Sequence, residues 1–450
     1  MILALEYHRS PARYLAAARL PGRLRPAAVP SLAPLRLTNR PVPNTPGPGW
    51  VRLRTILSGI CGSDLAMAAG KVSPYLGPLT SMPFVPGHEV LAELMDDVRM
   101  DDGTDLRAGT RVVIDPVLPC RARGTGPCPS CASGHENRCD HVNAGRISAG
   151  LQTGFCADTG GGWSERLVAH RSQLHRVPDA LPSERAVLAE PLACAVRSVR
   201  RIDVPRGTSI VVVGAGTVGL LTVLALRELT PAGPITVIAR HPGQRRRAVA
   251  LGATETIAPQ AALRGLRRIT GGSLVRPELG PGYLLGGADI VVECTGGEGL
   301  DTALRLVRGG GTVLLSGMPG KPADLTPAWF RELNIVGSYA SRGADDFSTA
   351  LDLASHDALA GFVDSVYPLT RWRDALSHAL SAGRSGSVKI AFDPRNGDRY
   401  AQNGDAAEPA ALPGHTRSTS TTTSTSDTTS TSDTASTGDT DHLDREGADG

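Results

Sequence analysis

Apolar and polar residues follow two different patterns along this chain, and the change falls near residue 183. Before it, short β-like runs are separated by Pro and Gly, which predicts an irregular β-rich domain over residues 40–180. These runs are 51–56, 90–95 and 111–114. The first 30 residues are Arg-rich and poor in acids, but they lack the apolar segment and cleavage site of a signal peptide. We therefore expect them to form the opening strands of the first domain.

From Ser183, which is expected to cap a helix, strand-like and helical runs alternate. The strand-like runs are 209–213, 235–239, 288–293 and 312–316, and the helical runs are 183–196, 218–228, 244–251 and 300–307. Such alternation predicts an α/β fold, a doubly wound parallel sheet covered by helices. Residues 334–394 are β-rich at both ends, so the chain is expected to return to the first domain.

One segment, residues 207–226, is uncharged and long enough to span a bilayer. Its β-branched start and the glycines Gly214 and Gly216 in its middle favour a buried strand, a turn and a helix instead. The sequence therefore predicts no membrane association, and a soluble, cytoplasmic protein.

Composition narrows the possible functions. The chain has 450 residues, enough for two or three domains, and its net charge of +3 argues against partners held by charge, such as nucleic acid. Eight cysteines are too few for a disulfide scaffold in a chain of this length, so clustering among them would indicate metal. Residues 396–450 carry a net charge of −7, and 17 of the 21 residues at 418–438 are Ser or Thr. This tail is expected to be disordered.

A glycine-rich turn follows the first strand of the α/β region. It reads G-x-G-x-x-G from Gly214 through Gly216 to Gly219, and Thr217 and Val218 open the next helix. In this context the three glycines permit a tight turn, close approach of a pyrophosphate, and close packing of helix on strand. The turn therefore predicts a dinucleotide site.

Cofactor preference depends on the residue after the second strand, where an acidic residue would bind the ribose of NAD. Here the strand ends in Arg240, and Arg245 follows, so the sequence favours NADP over NAD. Arg246 and Arg247 are expected to be solvated residues on a helix. Thr295 and Gly317 follow two further strands, at the sheet edge where cofactor contacts are expected.

Two sets of candidate metal ligands are present. Cys120, Cys128, Cys131 and Cys139 lie within twenty residues and contain a C-x-x-C core, which predicts a closed, structural four-thiolate zinc site. His141, close by, is expected on the surface. The second set is dispersed, with Cys61, then the pair His88 and Glu89, and much later Glu190. A thiolate, an imidazole and a carboxylate would leave one zinc position open for substrate.

Together these motifs resemble the zinc-dependent medium-chain dehydrogenase/reductase superfamily, which includes alcohol, sorbitol, threonine and glucose dehydrogenases. The resemblance covers residues from about 30 to 394. It implies a GroES-like catalytic domain with the structural zinc loop (1–185), an inserted Rossmann domain (186–335), and a return to the catalytic domain (336–395) before the tail (396–450). A homodimer or homotetramer is also implied.

The same resemblance implies roles for individual residues. Cys61, His88 and Glu190 match the catalytic zinc ligands, and Glu89 matches a glutamate that either coordinates the metal or sits behind it. Ser63 matches the hydroxyl that contacts the alcohol. Asp64 matches the carboxylate that orients the histidine.

Three features depart from the family pattern. Seven residues separate Cys120 from Cys128, where two are usual, and Ala66 stands where many members have a proton-relay histidine. The segment 143–162 is also longer than the minimal pattern, and it is expected to shape the substrate mouth or an oligomer contact.

The resulting hypothesis is reversible hydride transfer between an alcohol and NADP, with about two zinc ions per chain, and with a polyol or sugar as further candidate substrates. The alternatives are a physiological carbonyl reductase and a catalytically silent regulatory protein that binds zinc and NADP. A zinc-free quinone-reductase relative is disfavoured by the cysteine loop. The substrate and the direction of flux stay open at this point.

Overall fold

Two β-sheets organise the part of the chain that the structure, a computed structural model, describes: residues 1–297, 299–320 and 322–396. The expected disorder of the tail concerns residues outside this part, apart from residue 396. Among the described residues, no helix has both the length and the apolar character needed to cross a membrane.

The strands are β1 (Ile2–Tyr7), β2 (Leu35–Arg40), β3 (Trp50–Gly59), β4 (Val90–Leu94), β5 (Val98–Arg99), β6 (Asp105–Leu106), β7 (Arg111–Ile114), β8 (Arg166–His170), β9 (Leu174–Arg176), β10 (Ile210–Val213), β11 (Ile235–Ile238), β12 (Glu255–Ile257), β13 (Ser273–Val275), β14 (Tyr283–Leu285), β15 (Ala288–Glu293), β16 (Val307–Leu315), β17 (Asn334–Gly337), β18 (Val363–Pro368) and β19 (Lys389–Asp393).

The α-helices are α1 (Pro11–Ala18), α2 (Arg25–Leu32), α3 (Gly62–Ala68), α4 (Cys120–Arg123), α5 (Pro129–Ala132), α6 (Ser183–Ala186), α7 (Ala189–Val199), α8 (Thr217–Leu229), α9 (Pro242–Ala250), α10 (Ala262–Thr270), α11 (Gly299–Leu306), α12 (Thr326–Phe330), α13 (Ala344–Ala354) and α14 (Trp372–Ser385).

The first sheet is the predicted parallel sheet, with strand order β12-β11-β10-β15-β16-β17 and every neighbouring pair parallel. All four residues of β10 are buried, as its run of β-branched residues predicts for a central strand. After β10 the chain adds β11 and β12 on one side of this strand. It then adds β15, β16 and β17 on the other side. The crevice at the carboxyl ends of β10 and β15 is thus a topological switch point, where such sheets bind ligands.

The second sheet is mainly antiparallel and has the order β18-β19-β3-β4-β7-β9, with β8 also pairing with β3. Its first two strands come from the end of the chain, and β19 pairs antiparallel with β3 at Gly59. Helix α7, which packs against α8 and α13, leads from this sheet into the parallel one. The fold class is therefore α/β, with a GroES-like β-rich part and a Rossmann-type sheet.

Some local expectations differ from the structure. The first 30 residues form one strand, β1, and helices rather than strands alone, since Pro11 and Pro26 occupy first-turn positions that favour helix starts. Pro182, not Ser183, precedes the first turn of α6. The expected boundary between residues 335 and 336 falls inside β17, which extends the parallel sheet to Gly337.

Candidate active site

Three of the predicted ligands meet where the β-rich sheet adjoins α3. Cys61 follows β3 and caps the N-terminus of α3, while His88 and Glu89 immediately precede β4. Because β3 and β4 are paired, their ends bring the side chains together. One ligand atom from each of the three residues lies within 4.8 Å of the others. His88 and Glu89 are buried and Cys61 is half-buried.

Asp64 lies behind this group, fully buried in the first turn of α3. Its Oδ2 accepts a hydrogen bond from the Cys61 backbone N–H at 2.9 Å, and its Oδ1 lies 3.6 Å from His88 Nδ1. Burial raises the pKa of Asp64, against the effect of His88. Burial alone would lower the pKa of His88, but Asp64 and Cys61 outweigh it and hold that pKa well above its ordinary value. Asp64 thus faces Nδ1 of the His88 ring and leaves Nε2, the other ring nitrogen, for the ligand group.

Glu190 lies nearby, in the first turn of α7, but outside the three-atom group. Its Oε1 accepts a hydrogen bond from Cys194 Sγ at 3.3 Å. Burial raises the pKa of Glu190 to about 7, and its charge also acts on His88. Ser63, next to Cys61, is half-buried in α3.

The chemistry of this donor set fits a zinc ion. Thiolate, imidazole and carboxylate are the ligands that catalytic zinc prefers. Within the described residues, Glu89 Oε1 has no hydrogen-bond partner, although it is buried. Buried polar groups rarely stay unsatisfied without a functional reason.

The four loop cysteines also converge, and their sulfur atoms lie within 4.8 Å of one another. The seven residues between Cys120 and Cys128 include most of the short helix α4, which is followed by Gly124 in the left-handed conformation (φ 65°). Burial alone would raise the pKa of Cys128, but backbone N–H groups of Asp140 and Cys131 lower it to about 7. His141 lies closer to the cluster than expected, since its Nδ1 is 3.3 Å from Cys120 Sγ.

The glycine-rich turn lies at the switch point of the parallel sheet. Gly214 adopts φ +100°, and a side chain at Gly219 would overlap the Gly214 carbonyl oxygen, so both positions require glycine. A side chain at Gly216 would meet no atom within 4 Å, which leaves open space beside the turn. Thr217 and Val218 begin α8, whose N-terminus favours anions.

Thr295 and Gly317 lie at the same sheet edge. A side chain at Gly214 would contact Thr295 Cγ2, and Gly317 N–H donates to the Glu293 carbonyl oxygen at 2.9 Å. The residues of this edge therefore fit a dinucleotide cofactor in the crevice.

The two arginines after β11 differ in their environment. Arg240 is exposed, at the end of the strand. Arg245 instead directs its guanidinium at the chain itself, donating from Nη1 to the carbonyl oxygens of Ala239 and Arg240, both at 3.0 Å. Arg240 is therefore available to a ligand, whereas Arg245 stabilises the backbone at Ala239 and Arg240.

Two family models match the chain, the alcohol dehydrogenase GroES-like domain at residues 47–179 and the zinc-binding dehydrogenase domain at residues 217–356. An uncharacterised zinc-type alcohol dehydrogenase-like protein of Haemophilus influenzae is 30% identical over 303 residues, which cover 66% of this chain and 77% of that protein. The chain belongs to the zinc-dependent medium-chain dehydrogenases. It is therefore a zinc-dependent oxidoreductase of the alcohol dehydrogenase type.

This dehydrogenase is also similar to proteins with more specific descriptions. The D-altritol 5-dehydrogenase of Agrobacterium fabrum is 29% identical over 343 residues, covering 74% of this chain and 89% of that one. A zinc-binding dehydrogenase from Sinorhizobium meliloti 1021, solved with NADP bound, is 26% identical, with a TM-score of 0.62 and coverage of 80% and 95%.

Sequence reasoning missed one residue of the candidate metal site. Lys389, at the start of β19, is only 1% exposed; it forms an ion pair with Glu89 Oε2 and donates to the Ile60 carbonyl oxygen at 3.1 Å. Burial opposes its charge, but Glu89 and Cys61 raise the pKa of Lys389. The available signal was its rarity, since the chain has three lysines and 44 arginines.

A second missed residue, Glu293, organises the cofactor edge. It is buried at the end of β15, and its Oε1 accepts hydrogen bonds from the backbone N–H groups of Thr295 and Gly296. Its position at the end of a predicted strand was the only sequence signal.

Proposed function

We propose that this dehydrogenase oxidises secondary alcohols reversibly with NADP, at a zinc ion held by Cys61, His88 and Glu190, with Glu89, whose charge Lys389 compensates, as the neighbouring carboxylate. The observation that carries the proposal is the link that β19 makes between the two sites. The carbonyl oxygen of Val388 accepts a hydrogen bond from Thr217 Oγ1 in the phosphate turn at 3.3 Å, and the next residue, Lys389, pairs with Glu89. The phosphate turn and the candidate metal ligands are thereby joined by two consecutive residues, which supports their use in one reaction.

The protein's residues divide the work at this site. Zinc, when bound, would activate a hydroxyl as a Lewis acid, and the nicotinamide would accept the hydride. Asp64 fixes the orientation of His88. Ser63 passes the proton outward, since its hydroxyl accepts the substrate's hydroxyl proton and donates its own towards solvent. The side chain of Ala66 cannot relay this proton, so it leaves by a route without the usual histidine. Glu89, paired with Lys389, supplies a negative charge behind the ligands.

Cofactor preference follows from the end of β11. Arg240 binds the 2′-phosphate of NADP, because its guanidinium is exposed and can form paired hydrogen bonds with phosphate oxygens. Arg245 supports the loop. The similarity to the NADP-bound Sinorhizobium meliloti protein agrees with this preference.

Turnover assays test the function. Absorbance at 340 nm is followed with zinc-loaded protein and NADP, then NAD, across simple alcohols, polyols, aldoses and hydroxy acids. We expect NADP-dependent turnover with secondary alcohols. Polyols are included because the chain is similar to a D-altritol 5-dehydrogenase. Folded protein with two zinc ions per chain and no turnover in either direction would contradict the proposal.

The second zinc ion is held by the four loop cysteines and is structural, which requires reduced thiols and therefore agrees with a cytoplasmic location. We expect Cys139→Ser to remove this one ion and lower the melting temperature by about 10 °C, while most of the kcat is retained. Zinc analysis and thermal unfolding check this, with Cys294→Ser as a cysteine control that keeps both ions. Loss of both ions from Cys139→Ser would contradict two independent sites.

The ion pair of Lys389 and Glu89 stabilises the fold around the metal. Lys389→Met leaves the Glu89 charge buried and uncompensated, so we expect the free energy of unfolding to fall by about 3 kcal/mol. Lys389→Arg should lose less, because it keeps the charge. Denaturant unfolding measures the difference, and Lys71→Met, at an exposed lysine, is the control. Equal stability of Lys389→Met and wild type would show that the pair contributes nothing.

A homodimer is supported by the edge of the parallel sheet. Strand β17 has no neighbour on its outer side within the described part of the chain, and it lies close in sequence to Trp329, 81% exposed, and Phe330, 69% exposed. Unpaired strand edges and exposed apolar patches favour association with another chain.

We expect Ile335→Lys, which places a charge on this edge, to convert the dimer to a monomer in light scattering after size-exclusion chromatography. Leu279→Lys changes a more exposed apolar residue elsewhere and should leave the dimer intact. A dimer that survives Ile335→Lys would place the interface on another surface.

A further inference from the structure

The long segment 143–162 brings one aromatic residue to the metal site. The ring of Phe155 lies 5.8 Å from the His88 ring, between centroids, at an interplanar angle of 35°. It also packs against Phe84, with centroids 5.6 Å apart. Phe84 is fully buried, whereas Phe155 is only half-buried. Part of the Phe155 ring therefore remains accessible beside a predicted zinc ligand.

The segment that carries Phe155 is held by a buried arginine. The Arg123 side chain is fully buried, and its guanidinium donates to backbone carbonyl oxygens: to Leu118 at 3.1 Å, Ala144 at 3.2 Å and Gly150 at 2.5 Å, with longer contacts to Ile147 and Ser148. A buried charge satisfied in this way fixes the loops that contribute the carbonyl groups. Arg123 thus holds the backbone of residues 144–150, which leads into Phe155.

Two features of the sequence that depart from the family pattern are therefore one structural unit. Arg123 lies in the extended spacing between Cys120 and Cys128, and most of its acceptors lie in the long segment. The same segment forms isolated β-bridges between Gly150 and Thr80 and between Gln152 and Val117. It is consequently anchored at two positions that precede Phe155, one against the loop before His88 and one against the residues before the cysteine cluster.

We propose that Phe155 forms an apolar wall of the substrate site and determines specificity. The inference rests on the proposed function and narrows its substrate class. An aromatic face cannot satisfy a hydroxyl group, so a polyol would bury unpaired hydroxyls against it, whereas an alkyl or cycloalkyl substituent would gain contact. The preferred substrates are secondary alcohols, and the corresponding ketones, that carry an apolar substituent on the side facing Phe155. Arg123 is a positioning residue that acts through Phe155.

The test compares kcat/KM for cyclohexanol with kcat/KM for sorbitol in the zinc-loaded protein with NADP. We expect Phe155→Ala to lower this ratio at least about 10-fold, Phe155→Leu to retain most of it, and Leu279→Ala, at an exposed site, to leave it unchanged. Arg123→Met should lower the same ratio through KM for cyclohexanol. If Phe155→Ala changes this ratio less than 2-fold, the proposal is overturned, whatever ratio Arg123→Met gives.

A binding measurement separates this inference from the proposed function. Isobutyramide, an unreactive analogue of a ketone with an apolar arm, is titrated calorimetrically into the zinc-loaded protein with NADPH. Wild type that binds isobutyramide about 10-fold more tightly than Phe155→Ala supports the wall, even if no alcohol is turned over and the proposed function fails. Equal dissociation constants for the two proteins would exclude the wall, even if turnover is normal.

Discussion

Replacing Cys61 with serine should lower kcat for alcohol oxidation at least about 1,000-fold, which is about 4 kcal/mol of transition-state stabilisation. The thiolate is the soft ligand of the proposed catalytic zinc, and a neutral serine hydroxyl is a much weaker ligand. The fold should survive, because Cys61 also caps α3 and serine is a good N-cap residue. The loss should therefore come from the metal site and not from unfolding.

Three measurements separate these effects. Zinc analysis should find one ion per chain in Cys61→Ser and two in the Cys294→Ser control, and the circular dichroism spectra should match wild type. Stopped-flow binding of NADPH should be unaffected, since the phosphate turn is untouched. A Cys61→Ser protein with two zinc ions and normal turnover would remove Cys61 from the ligand set.

Local sequence patterns predicted the parallel sheet well because its signals lie within single elements. The strand β10, the glycine turn and α8 follow one another without interruption. Two of the glycines are required by local geometry, Gly214 by its positive φ and Gly219 by close packing. The N-terminal helices were missed because the first 30 residues were expected to form strands, although proline can open a helix. At Pro11 it stands in the first turn, where its missing N–H costs nothing.

The metal site was predictable only as far as its ligands lie in recognisable short motifs. Cys61, His88 and Glu89 were found in this way, and the structure brings them together. Lys389 stood out only by its rarity, because its pairing with Glu89 depends on β19 returning from the end of the chain to pair with β3. Phe155 was missed for a similar reason, since the course of a long loop follows from contacts such as those of Arg123 and not from local propensity.

The cofactor preference should reverse when the charge after β11 is reversed. In Arg240→Asp a carboxylate would repel the 2′-phosphate of NADP and could accept hydrogen bonds from the free ribose hydroxyls of NAD. We expect the ratio of kcat/KM for NADP to that for NAD to fall at least about 100-fold, mainly through KM for NADP. Initial-rate kinetics with both cofactors and one alcohol measure this ratio.

Two neighbouring arginines make the result specific to Arg240. Arg246→Asp places the same charge on the exposed face of α9 and should change the ratio only a few-fold, which measures the long-range effect of the charge alone. Arg245→Met removes hydrogen bonds to the carbonyl oxygens of Ala239 and Arg240, so it should weaken both cofactors together. If Arg246→Asp shifted the preference as strongly as Arg240→Asp, general electrostatic attraction would select the cofactor. If Arg240→Asp alone shifts it, the exposed guanidinium at the end of β11 binds the phosphate directly.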